Sequence, residues 1–143
     1  MQGPVHLYLV AVLTLLWNLM GAADYSLTQL QVPSYMGQFT PEQIAYFTSF
    51  PSWVQGAWAV AVWSSVAGSL LLLMRSGWAV TAFAISFVAM LLTALHNFGL
   101  AEVKLHQITG PEAIWFSLAI AVVALGEWLY ARRMRQTGVL GQA

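Results

Sequence analysis

The chain has 143 residues, zero formal net charge, 59% hydrophobic and only 7% charged side chains. A soluble domain carries about a quarter charged residues, so water is the wrong solvent for most of this surface, and without a basic patch the chain is not suited to nucleic acid. It contains no cysteine, which excludes disulfides, thiolate chemistry, iron–sulfur clusters and cysteine zinc sites.

Four segments are apolar over the roughly 20 residues that cross about 30 Å of hydrocarbon as a helix. They run from about Val5 to Ala22, from Trp53 to Met74, from Trp78 to Leu100 and from about Glu112 to Tyr130. The expected fold is an all-α membrane protein: a single domain, a four-transmembrane-helix antiparallel bundle. The first span is followed by Gly21-Ala22-Ala23, which resembles a signal-peptide cut site. However, Met1 to His6 lacks Lys and Arg and the apolar run is long, so the segment is read as retained.

Residues 23–52 form the one sizeable loop. Tyr25, Tyr35, Phe39, Tyr46, Phe47 and Phe50 give it too many aromatics for a solvated tether. Thr40-Pro41-Glu42-Gln43 is a helix start: Thr40 caps, Pro41 opens the first turn and Gln43 reaches back in a capping box. A short amphipathic helix to about Ser49 is expected, lying at the membrane surface or over the bundle. Its plain role is a structural cap over the helix ends; the functional alternative is a gating lid.

Pro51 opens the second span and Arg75-Ser76-Gly77 separates it from the third in a tight turn. Pro111 and Glu112 open the fourth, the carboxylate at the positive helix end. Trp17, Trp53 and Trp115 fall near one interface and Trp78 and Trp128 near the other, as in an aromatic belt. Arg75 and the tail arginines Arg132, Arg133 and Arg135 lie on one side, against Lys104 alone on the other. By the positive-inside rule the arginine side is cytoplasmic, with both termini and a basic tail, residues 131–143, there. Asp24, Glu42, Glu102 and Glu112 all fall outside. The expected location is the inner membrane, with the lipid bilayer as first partner and a homo-oligomer or larger membrane complex as further ones.

Each span carries a stripe of small or weakly polar residues of the kind that lets membrane helices approach closely. These are Ala11, Thr14 and Asn18; Ala57, Ala61, Ser65 and Ser69; Ala82, Ser86, Ala89 and Thr93; and Ala113, Ser117, Ala121 and Ala124. Packing alone accounts for them.

The candidate ligand-binding residues are Asn18, Asp24, Trp58, His96, Asn97 and Glu112. Asn18, His96 and Asn97 are read as lying in the outer third of their spans, with Asp24 and Glu112 just above. Polar groups in hydrocarbon are costly and turn inward. A histidine near carboxylates suits proton relay, a metal or a polar ligand; hydrogen bonding between helices is the plain alternative. Trp58, away from the interfaces, could stack on a flat ligand or simply pack. His106 stands near Glu102 and Lys104, at no recognised metal spacing from His96. No resident metal or cofactor is expected. Glu127, the one carboxylate inside a span, is read as an interfacial partner for Arg75 or the tail arginines.

The stretch Leu16-Trp17-Asn18-Leu19-Met20-Gly21-Ala22-Ala23-Asp24-Tyr25 with Thr28-Gln29, then Phe50-Pro51-Ser52-Trp53, Trp58-Ala59-Val60-Ala61-Val62-Trp63 and Gly68 to Ser76, resembles a group of small four-helix inner-membrane proteins of proteobacteria. Some of that group are named as sugar transporters. The resemblance extends to about residue 100 and implies the fold, without catalytic residues. Small multidrug exporters need a membrane-centred Glu in the first helix, where this chain has only Asn18. Haem-bearing four-helix cytochromes need several intramembrane His pairs, and the Pro-Gln pair of small sugar facilitators is missing. The functional expectation is a non-enzymatic binding or accessory membrane protein for a partner subunit or lipid-like ligand. The alternatives are an oligomeric transporter or channel subunit for a small solute, and an outer-surface enzyme using His96 with Asp24 and Glu112.

Overall fold

A computed structural model describes residues 3–141. Four helices are long and apolar enough to cross a membrane, so the chain is a multi-pass, all-α membrane protein. The long helices are α1 (Val5–Gln29), α4 (Ser52–Leu73), α5 (Trp78–Leu95) and α7 (Glu112–Gln136). Helix α5 continues as a π-helical turn, His96–Leu100. Three short helices, α2 (Pro33–Met36), α3 (Pro41–Thr48) and α6 (Leu105–Thr109), lie in the connections at one end. In lipid a helix satisfies its own backbone polar groups, so length and hydropathy alone select these four segments.

Two helices run past their expected limits. Residues 23–29 hold neither Gly nor Pro, so α1 continues to Gln29 and ends where Gln31 turns to φ 50 ahead of Pro33. Helix α7 continues through the arginines to Gln136, because cations suit the negative end of a helix dipole. Much of the tail expected after Tyr130 is therefore helical. Gly138, at φ 82, ends it: Val139 N–H donates to Met134 O at 2.9 Å, the six-residue closure of a Schellman turn.

The spatial order is α1, α4, α5, α7. Helix α4 packs on α1 and α5, and α5 packs on α7; α1 and α7, at the two flanks, are not packed along their lengths. The small-residue stripes of α1, α4 and α5 form seams, whereas Ala113, Ser117 and Ala124 of α7 line open space. Thr14 and Ser69 hydroxyls are 2.9 Å apart between α1 and α4, and Ser86 donates to Ala61 O at 2.6 Å between α5 and α4. Gly68 lets α4 approach the Phe83 ring so closely that a Cβ there would stand 2.7 Å from it. The outward faces of α1, α5 and α7 expose large apolar side chains such as Leu13, Val88, Trp115 and Val122, as suits contact with lipid.

At the arginine end the tail closes the bundle. Gly141 N–H donates to Arg75 O at 2.8 Å and Arg75 Nε donates to Val139 O at 3.0 Å. Leu140, 2% exposed, joins a buried cluster with Leu7, Leu72, Phe83 and Ala131. The opposite end carries the short helices. The Thr40–Gln43 capping box is formed, and Gln43 Nε2 reaches Ile108 O at 3.5 Å, tying α3 to α6.

Candidate functional site: a cavity between the flanking helices

A cavity of about 880 Å³ occupies the space between α1 and α7 and extends under the short helices. Its roof is aromatic: Phe39, Phe47 and Phe50 meet edge to face, and Phe50 meets Trp58 at 6.0 Å. Its walls are mostly apolar, with Val62, Met90, Phe116 and Ile120. Its side is open: Met20 and Phe116 both line it and stand exposed on the flanks of α1 and α7. A volume within the roughly 300–1,000 Å³ of ligand sites, apolar walls and a few convergent polar groups are the usual make-up of a small-molecule pocket.

The polar groups stand at two levels. Near the roof, Tyr35 OH donates to Asp24 Oδ1, and Tyr46 OH donates to Asn97 Oδ1 at 3.2 Å. Burial, then the hydrogen bond to Asp24 and the carboxylate charge, push the Tyr35 phenol well above its ordinary range; burial raises Tyr46 as well. At the floor, Asn18 Nδ2 lies 3.1 Å from Ser65 O, 3.0 Å from Ser69 Oγ and 3.4 Å from Glu127 Oε2, so its two N–H groups are shared among three acceptors and the contact to Glu127 is the longest. Asn18 and Glu127 are each 6% exposed. Glu127 Oε1 is buried and has no hydrogen-bond partner among the described residues. The geometry follows from helix direction. A helical side chain leans towards the N-terminus of its own helix. Helices α1 and α7 are antiparallel, so Asn18 and Glu127 lean towards each other from opposite ends.

Of the six residues singled out in the sequence, Asn18, Asp24, Trp58, Asn97 and Glu112 line this cavity. His96 does not. Its ring lies edge to face with Phe50 at 5.3 Å and Trp53 at 5.9 Å and lines a separate pocket of about 390 Å³ with Glu102. Hence His96 is not gathered with Asp24 and Glu112 as an enzyme at that surface would require. His106 stacks on Phe98, ring centres 5.9 Å apart. Among the described residues no three His, Asp or Glu side chains are placed to hold a metal ion.

Glu127 is the residue the sequence reading misplaced. It faces the bundle interior and meets Asn18, where the sequence predicts a surface pairing with arginine; Arg132 lies over the Trp128 ring and Arg75 Nε donates to Val139 O. The signal was present, because Glu127 continues the α7 stripe Ala113, Ser117, Ala124 by one three-residue step. Asn18 likewise belongs deeper than the outer third, near the middle of α1, because that helix is longer than expected.

Fold and site together define a class: a four-helix integral membrane protein with a side-opening interior cavity. Comparison with family models, curated proteins and solved structures finds no match to this chain.

Proposed function

We propose that the protein is a non-enzymatic membrane binding protein that takes an amphipathic, lipid-like ligand into the bundle from the side, between α1 and α7. One observation carries this reading: the cavity is roofed by aromatic rings, yet its lining residues Met20 and Phe116 are exposed on the flanks that face lipid. A solute from water would have to pass the roof, whereas an amphiphile already in the bilayer reaches the cavity along its apolar side. The proposed setting is an inner membrane with both termini cytoplasmic. The arginine-rich end supports it, since Arg75, Arg132, Arg133 and Arg135 share that side.

Native mass spectrometry of protein extracted in mild detergent tests the ligand. The wild type should carry an adduct of amphiphile mass, and Ala124→Phe, which fills the cavity wall, should lose it. Bare wild-type protein, or the same adduct on A124F, would refute the reading. The orientation is tested with a single cysteine placed at Gln136, in a chain with none of its own. It should resist labelling from the periplasm, and ready labelling in intact cells reverses the orientation.

A further inference from the structure

Three of the chain's five carboxylates line the cavity: Asp24 and Glu112 towards the roof and Glu127 at the floor. Among the described residues no Lys, Arg or His lines it. A cavity in a low-dielectric wall focuses the field of its charges. The titratable groups that line this one are acidic or phenolic, and its deepest carboxyl group is almost wholly buried.

That deep group is incomplete. Asn18 holds Glu127 Oε2, and Oε1 is left without a partner. A buried carboxylate without a counter-charge is costly; taking up a proton relieves that cost, and so does a bound cation or a hydrogen-bond donor. The donors of α1 and α4 do not supply one to Oε1. The Thr14 and Ser69 hydroxyls engage each other, and Ser65 Oγ donates to Val62 O at 2.7 Å. Above the carboxyl group the lining is mostly apolar and includes the Trp17 and Trp58 indoles, the ring type that attracts organic cations best. A bare metal ion would find a lone carboxylate and an amide there, too few ligands to replace its water.

Resting on the proposed binding function and narrowing it, we infer that the cavity selects a lipophilic organic cation, its charged head at Glu127 Oε1 and its apolar body against the apolar and aromatic walls.

The experiment compares two ions of the same shape and opposite charge, tetraphenylphosphonium and tetraphenylborate, with dodecanol as a neutral amphiphile. Binding is measured by equilibrium dialysis against matched protein-free micelles, for the full chain and for Glu127→Gln and Glu127→Asp. Circular dichroism establishes that each variant is folded. The phosphonium should bind the wild type at least tenfold more tightly than the borate. E127Q should lose about tenfold or more in phosphonium affinity and clearly less in dodecanol affinity, and E127D should recover part of the phosphonium loss. Equal binding of the two ions, or unchanged phosphonium binding by folded E127Q, overturns the cation inference while leaving the binding function standing. Should none of the three probes bind above micelle background, both fall. If E127Q does not fold, Ala124→Phe serves instead: its phosphonium binding should vanish, and full retention overturns the inference.

Discussion

Three glycines in membrane helices give the sharpest test of how this bundle is held, because one substitution should act in opposite directions. Gly68 of α4 faces the Phe83 ring, and a Cβ there would stand 2.7 Å from two ring carbons. Carbon atoms in contact prefer about 3.5–4.0 Å, so the ring would have to withdraw by about 1 Å. Phe83 is 1% exposed and packed in the same buried cluster as Leu72, Ala79 and Val80, so the ring can withdraw only by displacing them. Overpacking of this kind costs about 1–3 kcal/mol, against a gain of about 0.5–1 kcal/mol for replacing a helical glycine by alanine. The net effect of Gly68→Ala is a loss of up to about 2.5 kcal/mol, centred on about 1 kcal/mol. Gly56 of α4 and Gly126 of α7 have nothing within 4 Å of the added carbon. There the same change should stabilise by about 0.5–1 kcal/mol. The assay is reversible unfolding in mixed detergent micelles, followed by far-ultraviolet circular dichroism. Phe83→Leu should cost less in the G68A background than in the wild type, since the clash is then already relieved. A G68A variant as stable as the wild type, with no coupling to F83L, would refute the claim that backbone approach at Gly68 sets the α4–α5 seam.

Two further outcomes follow from the ends of the bundle. Leu140→Ala empties a site that is 2% exposed and should cost about 2 kcal/mol or more in the same unfolding assay. A loss below about 0.5 kcal/mol, the ordinary range for surface substitutions, would show that the tail does not close the core. Tyr35 has its phenol raised by burial and by Asp24, so the folded protein holds that proton more tightly than the unfolded chain. Its contribution is intact below the unfolded value of about 10 and fades as pH rises beyond it. Phenolate absorbance should show one late-titrating tyrosine that is missing in Tyr35→Phe, and the stability difference between wild type and Y35F should shift against the wild type above about pH 10. An unchanged titration curve in Y35F would remove the Tyr35–Asp24 bond from the account of the roof.

Much of the architecture was legible from residue order. Backbone groups in hydrocarbon must be satisfied within their own segment, so four apolar stretches, the proline starts and the Thr40–Gln43 box locate the helices with little help from context. The ends were less legible. Helix α1 passes Ala23 because nothing local stops it before Gln31, and α7 passes Tyr130 because its arginines suit a helix terminus, facts that hydropathy does not register. The stripes also marked the seams, as Ser86 on Ala61 and Thr14 beside Ser69 show.

What the sequence determined by itself is therefore the set of spans, the asymmetry between an arginine end and an aromatic end, and the inward faces of the helices. Only the tertiary structure decided which of those faces meet and at what depth. Asn18 and Glu127 lie 109 positions apart, and their separate readings placed one towards the outer surface and the other at the opposite mouth. Antiparallel helices bring them level, and the lean of each side chain towards its own N-terminus closes the gap. The loose packing of α1 against α7, a property of neither helix alone, leaves the cavity whose floor that pair forms.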